Sequence, residues 1–512
     1  MRIKTSKTRH TIFSFGIIIA LFISACSKFE EINTDPDAST KASRSLLATN
    51  IILGLTSSSN GKPFYASFLV SKYLAWAENS DGNQYNAFDR TGFTGYSSVI
   101  NGNKMLSMTS ETNRPAYEGL YLFNKAYNMF YLSMSLGDIP YSEAFQGESN
   151  ILKPKYDSQK QVMIQVLDDL EKSYDAFNKG INLEGDPLFK GDSNKWRKIV
   201  RAFQLKVLIQ LSNKSEDSDL KVKEKFKQYI TADLMTSNTD NLQRVYSENA
   251  KEFYPIYKTR LNHNPYAMLS DLLVNKLKET GDYRLFYYGR PAASKIKQNL
   301  PSNSFDSFIG VDPSAKFDVI LAAWGNGEFS GINDRYTQNP SGEPVVKIGY
   351  AEQQFILAEA VLRGWISGSA SDYYKEGIKA SMSFIASRTP DNPAYHYNRK
   401  ITDDNINSVI ASPTNQLNGN KEGDLEKIMV QKYLASFMNR EWETYYDYRR
   451  TGYPKFPINP LTNQNSDNTK MPMRWKYPLG EYDNNSENIT EAVQRQWNGV
   501  DDVNKLMWIL QK

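Results

Sequence analysis

Cysteine is nearly absent from this chain of 512 residues, in which Cys26 is the only one. A single cysteine excludes an internal disulfide, so the fold must be stabilised by a packed core. Histidine is almost as scarce, and none of the three lies at metal-ligand spacing from another histidine or cysteine. There is no HExxH motif and no Gly-x-Ser-x-Gly motif. We therefore expect neither a metal nor another cofactor.

Long apolar runs are also missing, apart from one near the N terminus. Several basic residues precede the apolar stretch 12–23, which is too short to span a bilayer and is followed by Ser-Ala-Cys26. This order is typical of a secretory signal, and ISAC resembles the lipobox of bacterial lipoproteins. We predict a lipoprotein signal peptide over 1–25 and a lipidated Cys26 at the start of a tether over 26–43. The alternative is a plain signal peptide with an incidental cysteine.

Without residues 1–25, the chain has no excess of positive or negative charge. The formal net charge is +4, but residues 1–25 contain four Lys or Arg and no Asp or Glu. The rest of the chain therefore has 57 residues of each sign and a net charge of zero. A neutral body gives no support to a nucleic-acid partner.

What the sequence does contain is helical periodicity, with apolar residues three and four positions apart. The predicted helices cover 44–57, 63–78, 114–136, 158–178, 194–212, 266–279, 350–366, 371–387, 402–411 and 422–447. Three regions without a sustained period are predicted to be loop-rich, namely about 79–103, 281–345 and 452–490. Paired helices suggest a tetratricopeptide-like stack, although the strict repeat signature is absent and an irregular helical bundle is the alternative. We predict a mostly α fold with a single domain over 44–512.

Acidic residues are numerous enough that a pair of catalytic carboxylates has to be considered. Glu441 and Glu443 in NREWETYYDYRRTGYP are two positions apart, so on a helix they would point in different directions. We interpret them as part of a salt-bridged helix end and predict no catalytic residue.

Aromatic residues on polar loops are the informative feature for function. They occur in WAENSDGNQYNAF at 76–88 and in AAWGNGEFSGINDRY at 322–336. A sugar ring stacks its apolar face on an aromatic ring and bonds its hydroxyls to amides, carboxylates and Arg, so these loops suit a glycan. The alternative is that the rings pack the loops onto the helices. The candidate ligand-binding residues are Trp76, Asn79, Asp81, Tyr85, Trp324, Asn326, Arg335 and Tyr336.

Several stretches resemble the SusD/RagB family of Bacteroidetes outer-membrane lipoproteins, most closely its SusD-like branch. They are, in chain order, CSKFEEINTDPDAS, GDIPYSEAFQG at 137–147, DPLFKGDSNKWRKIVRAFQLKVLIQLSN at 186–213, AEQQFILAEAVLRGW, REWETYYDYRRTGYP and MPMRWKYPLGEYDNN at 471–485. They extend over nearly the whole chain beyond Cys26. The pair Glu30-Glu31 also resembles the surface-export signal of these lipoproteins.

The resemblance implies a scaffold of tetratricopeptide-like helix pairs beneath a loop-rich ligand-binding face. Family members are not enzymes; they bind nutrients and act with a SusC-like TonB-dependent outer-membrane barrel that imports the ligand. We therefore expect a lipid-anchored, surface-exposed outer-membrane protein that binds an oligosaccharide. The alternatives are a peptide-binding member of the same import system and a surface glycoside hydrolase. The family's motifs are scaffold motifs, so no ligand contact is transferred from them.

Overall fold

The computed structural model describes residues 42–258 and 262–512. The predicted signal peptide, Cys26 and most of the predicted tether lie outside these residues. None of the helices in the described ranges combines the length and the apolar character needed to cross a bilayer.

The described chain is mostly helical, which confirms the predicted fold class. The helices are α1 (Arg44–Thr56), α2 (Lys62–Val70), α3 (Tyr96–Ser107), α4 (Arg114–Leu136), α5 (Gln159–Asn178), α6 (Ser193–Gln210), α7 (Val222–Tyr229), α8 (Asp271–Glu279), α9 (Arg284–Tyr288), α10 (Ala293–Lys297), α11 (Phe317–Asn326), α12 (Asp334–Thr337), α13 (Tyr350–Leu362), α14 (Ala370–Arg388), α15 (Pro393–His396), α16 (Asp403–Ala411), α17 (Lys421–Leu434), α18 (Glu443–Thr451), α19 (Leu479–Asn484) and α20 (Ser486–Trp497). The strands are β1 (Leu74–Trp76), β2 (Leu242–Arg244), β3 (Ala267–Leu269) and β4 (Val345–Ile348). Strand β1 pairs antiparallel with β3, and β2 pairs antiparallel with β4.

Local sequence fixes the ends of the long helices. Helix α5 begins at a capping box in which Ser158 Oγ accepts from the Gln161 N–H and the Gln161 side chain accepts from the Ser158 N–H. Helix α4 has Pro115 in its first turn and ends at Gly137, whose φ of 100° is unfavourable for other residues. A Cβ at Gly137 would also lie 2.3 Å from Gln496 Oε1.

The scaffold is a layered arrangement of these helices. Helix α4 packs on α5 and α5 on α6, while α13 packs on α6, α14 and α17. In α13, Ala358 and Ala360 are fully buried, and Gly377 of α14 lies against the ring of Phe355. These small residues allow the close approach of the neighbouring helices.

Helix α6 is buried on nearly all sides, so its polar side chains are paired inside the core. Lys206 lies 3.1 Å from both Glu352 of α13 and Glu443 of α18. Arg450 of α18 pairs with Glu359 of α13, with 2.9 Å between Nη2 and Oε2. We call this set of ionic side chains the buried charge network; it comprises Lys206, Glu352, Glu359, Lys432, Glu443, Asp447 and Arg450.

Several predicted elements differ from the structure. The predicted helix 63–78 ends at Val70 and is followed by β1, with Lys72 at a positive φ of 57° between them. The predicted helix 422–447 is broken into α17 and α18, because Met438 and Arg440 have positive φ. The predicted loop-rich region 281–345 contains four helices, α9 to α12, and the predicted loop 79–103 ends where α3 starts at Tyr96.

Candidate ligand-binding face

The strand pair β1–β3 separates the main core from a smaller apolar cluster. Because side chains alternate along a strand, Leu74 and Trp76 point into the main core while Ala75 and Ala77 point to the other side. The smaller cluster is formed by Ala75, Ala77, Tyr85, Met268, Val311 and Ile320. The segments 76–88 and 311–329 contribute residues to this cluster and pack against it.

A stacked aromatic pair covers this small cluster. The rings of Tyr266 and Trp324 are 5.4 Å apart with an interplanar angle of 25°. Trp324 Nε1 donates to the carbonyl of Pro265 at 2.9 Å, which fixes the indole while leaving it partly exposed. Trp324 lies in the last turn of α11, which Gly327 terminates with a φ of 66°. Trp324 is thus on a helix end rather than in a loop.

A chain of polar side chains begins beside the aromatic pair. Lys62 Nζ donates to Asn79 Oδ1 at 3.2 Å and lies 3.2 Å from Asp81 and 3.6 Å from Glu78. Glu78 in turn lies 3.1 Å from Nδ1 of His263, which is three residues before Tyr266. The side chains of Lys62, Glu78 and His263 are each about a third exposed.

We call the surface formed by Lys62, Glu78, Asn79, His263, Tyr266 and Trp324 the aromatic-polar face. It combines a stacked, partly exposed ring pair with an ammonium, a carboxylate, an amide and an imidazole. Rings supply apolar contact area at low cost in conformational entropy, and the polar groups supply both donors and acceptors. This combination suits a ligand with apolar faces and many hydroxyls.

Trp76 is not part of this surface, because it is fully buried. Its ring lies 5.5 Å from that of Tyr65 and 6.3 Å from that of Tyr266. The prediction of Trp76 as a ligand contact is therefore wrong. Its ring packs against the buried side of Tyr266. Tyr85 is buried as well, and its hydroxyl donates to the Ala315 carbonyl at 2.9 Å.

The two polar candidates of the first loop differ in their surroundings. Asn79 is exposed and bonded to Lys62, whereas only 8% of Asp81 is exposed. Asp81 accepts from the Asn83 N–H at 2.8 Å, so it shapes the loop as well as pairing with Lys62. Asn326 is exposed at the last residue of α11, two positions after Trp324.

Arg335 and Tyr336 are buried in the core, which contradicts their prediction as ligand contacts. The Arg335 guanidinium pairs with Glu343 and stacks 4.4 Å from the Tyr336 ring centroid. Glu343 also accepts from Asn439 Nδ2 at 2.9 Å, so the group ties α12 to the segment between α17 and α18. Both residues are structural, because they are buried and the two Arg335 Nη groups donate to the Tyr336 hydroxyl and to Glu343.

Sequence reasoning missed Lys62, Glu78, His263 and Tyr266. The signal available for Tyr266 was its place in NHNPY, an aromatic residue within a polar, Pro-containing turn. The described ranges contain no group of three or more His, Cys, Asp or Glu arranged to hold a metal ion. Glu441 and Glu443 lie elsewhere, paired with Lys347 and Lys206 respectively, as the salt-bridge interpretation predicted.

Known proteins match this chain over most of its length. The sequence profile of a family described as starch-binding and associating with the outer membrane matches residues 36–478. A SusD homolog from Bacteroides fragilis is 52% identical with a TM-score of 0.90, and the match covers 92% of this chain and 100% of that one. A second SusD homolog from that organism is 32% identical with a TM-score of 0.82 over the same shares.

A more distant structure shares the fold. It is a chitin-binding SusD homolog from Flavobacterium johnsoniae, 21% identical, with a TM-score of 0.69 and coverage of 91% of this chain and 98% of that one. The search of curated proteins gave no match. Since the family profile matches most of the chain, the predicted resemblance is confirmed: this chain belongs to the SusD-like family.

Proposed function

We propose that this chain is a lipid-anchored, surface-exposed outer-membrane protein that binds a nutrient glycan and delivers it to a SusC-like TonB-dependent barrel. The observation that carries the binding proposal is the Tyr266–Trp324 stack beside the Lys62–Glu78–His263 chain. The family description as starch-binding, and the chitin-binding of one homolog, support a glycan as the ligand class. Cys26 is the proposed lipid attachment point.

The aromatic-polar face is open, so we expect moderate affinity. A few stacking contacts and hydrogen bonds on an open surface give roughly 4 to 8 kcal/mol, or millimolar to micromolar dissociation constants. Asn79 and Asn326 are the proposed amide contacts, because both are exposed near the ring pair or its polar neighbours. The protein is proposed to bind without catalysis, since Glu441 and Glu443 are held in ion pairs.

Calorimetry with maltoheptaose and chitohexaose, together with affinity electrophoresis in starch-containing gels, tests the binding. We expect Trp324→Ala to weaken binding at the aromatic-polar face at least tenfold, because it removes one ring of the partly exposed stack. Trp508→Ala is the matched control, since Trp508 is also partly exposed but lies beside Lys214, away from this face. Unchanged binding in Trp324→Ala would refute the site.

The ligand class and the delivery step are tested separately. Peptides that co-purify with the protein, together with no response to any glycan in a broader panel, would favour a peptide ligand instead. Detergent extraction of native membranes should co-isolate a TonB-dependent barrel. Repeated isolation of the protein alone would argue against delivery to such a partner.

A further inference from the structure

A second concave site lies within the scaffold, away from the residues of the aromatic-polar face. It is a cavity of about 540 Å³ bounded by the end of α1, the middle of α4, Lys347 of β4 and the segment between α17 and α18. This volume lies within the range of small-ligand pockets, about 300 to 1,000 Å³. We call it the Trp442 pocket; its main lining residues are Tyr127, Tyr131, Lys347, Glu441, Trp442 and Trp475.

Two walls of the pocket are aromatic. Trp442 and Trp475 are partly exposed and meet at 88°, with 5.2 Å between their ring centroids. The ring of Phe88 stacks on that of Trp475 at 4.5 Å, and the backbone N–H of Trp475 donates to the Ser135 carbonyl at 3.0 Å. Tyr127 packs edge-on against Tyr131 at 4.8 Å. The rings are therefore held in place by neighbours that lie behind the cavity.

The polar side chains of the pocket are also held in place, by hydrogen bonds and ion pairs. Lys347 Nζ lies 2.9 Å from Glu441 Oε1 and donates to Ser58 Oγ at 3.0 Å. Glu443 accepts from the Tyr131 hydroxyl and lies 3.1 Å from Lys206. Burial raises the pKa of Glu443, although the Lys206 ammonium opposes this.

The backbone that presents Trp442 and Glu441 is in an unusual conformation. Arg440 has a φ of 41°, a region that residues other than glycine rarely adopt. Its backbone N–H donates to the Val346 carbonyl, and its guanidinium donates to the Ala435 carbonyl at 2.7 Å. Asn439 Oδ1 accepts from the Val346 N–H at 2.7 Å. Surrounding contacts thus enforce a conformation that is costly by itself, as is common at binding sites.

The charges indicate which ligand would fit. Lys347 and Arg440 are balanced by Glu441 and Glu443, so the lining has no formal net charge. A balanced lining does not select an anion or a cation. The rings of Trp442 and Trp475 meet edge to face, and carboxylate, ammonium and hydroxyl groups stand elsewhere in the lining. This combination matches a neutral ring that has apolar faces and equatorial hydroxyls.

We propose that the Trp442 pocket is a second saccharide-binding site, which takes a neutral sugar unit against Trp442 and Trp475 and bonds it through Glu441 and Lys347. It is separate from the aromatic-polar face and shares no residue with it. The proposal needs only that the ligand be a neutral saccharide, so the two sites can be tested independently.

The test uses the full-length protein in detergent and calorimetric titration with maltoheptaose, chitohexaose and N-acetylglucosamine. We expect Trp324→Ala protein to retain one binding event for at least one of these sugars. Adding Trp442→Ala or Glu441→Gln should weaken that event at least tenfold, whereas Trp508→Ala should leave it unchanged. Glu441→Gln keeps the side-chain volume, so it tests the pocket even if Trp442→Ala impairs folding.

Two results would overturn the second site. One is that Trp324→Ala abolishes binding of every sugar that the wild-type protein binds, which would leave the proposed function intact. The other is that binding retained in Trp324→Ala is insensitive to both pocket substitutions. If the wild-type protein binds no saccharide, the proposed function fails as well, so the failures are distinguishable.

Discussion

The buried charge network and the aromatic-polar face use the same kinds of side chain under opposite conditions. In the network, Lys206 and Glu352 are each about 1% exposed and face fixed partners on neighbouring helices. On the face, Lys62 and Glu78 are 28% and 29% exposed and are 3.6 Å apart. A buried ion pair is out of reach of a ligand, whereas a partly hydrated pair can exchange water for hydroxyls.

The comparison teaches that charge content does not reveal which residues bind a ligand. Arg335 and Glu343 stand in a loop-rich region, yet they are as buried as the network. Lys62 begins helix α2 and lies outside the predicted loop-rich regions, yet it is part of the aromatic-polar face. Exposure separates the two groups, and it follows from tertiary packing.

The strongest way to test the network is to remove one cation from it. Arg450→Met should lower the free energy of unfolding by about 3 to 5 kcal/mol, because Glu359 would stay buried with only the partly exposed Arg363 as a partner, and Asp447 would lose a cation. In the native state Arg450 lowers the pKa of Glu359 despite its burial, so the carboxylate is charged. Urea unfolding followed by circular dichroism measures the loss.

The control for this prediction is Lys172→Met, which breaks an ion pair with Asp168 on the surface of α5. Both side chains are more than half exposed, so the change should be below about 0.5 kcal/mol. A loss as small as this in Arg450→Met would contradict the account of the network.

A second test concerns a lysine that is buried but has neutral partners. Lys72 donates to the Gln84 carbonyl and to Asn86 Oδ1, and burial lowers its pKa to about 7, with Asp312 opposing the shift. The unfolded chain therefore binds more protons than the native state between about pH 7 and the ordinary value of 10.5. Stability attributable to Lys72 should rise with pH across this window, by at most about 1.4 kcal/mol per pH unit.

Urea unfolding at pH 7, 8 and 9 measures this slope. Lys72→Met should remove the rise, so the difference between variant and wild type should change with pH. Lys172→Met is again the control, because its ion pair with Asp168 raises the pKa of Lys172 and no proton is released in this window. Parallel pH profiles for wild type and Lys72→Met would show that Lys72 does not titrate there.

Much of the scaffold could be predicted from the sequence, because its helices have regular apolar periodicity. The prediction 114–136 coincides with α4, and the apolar stripe of Trp196 and Phe203 is buried. The break after Leu434 could not be predicted, since the residues that follow favour a helix. Hydrogen bonds from Arg440 and Asn439 to the distant strand β4 enforce the turn.

The candidate face was only partly predictable. Trp324, Asn79 and Asn326 were identified from their polar surroundings, but the partner of Trp324 is Tyr266, far away in the sequence. The alternation of side chains along β1 places Trp76 in the main core and Ala75 on the opposite side. A strand of three residues is too short for this alternation to be recognised in the sequence, so Trp76 was assigned to the ligand-binding residues.

The smallest change in the free energy of unfolding is expected when Lys62 is replaced, because Lys62 belongs to the aromatic-polar face and not to the buried charge network. Lys62→Met should lower the free energy of unfolding by no more than about 1 kcal/mol, because its ion pairs are partly hydrated and screened by salt. It should nevertheless weaken maltoheptaose binding severalfold, since it removes the donor that holds Asn79 and Glu78 in line. Lys276→Met, which breaks an exposed pair with Glu279 on α8, is the matched control and should change neither quantity measurably. The contrary result would be a loss of stability in Lys62→Met comparable to that in Arg450→Met, with binding unchanged. Lys62 would then stabilise the fold and not the bound ligand, and the distinction between the buried charge network and the aromatic-polar face would fail.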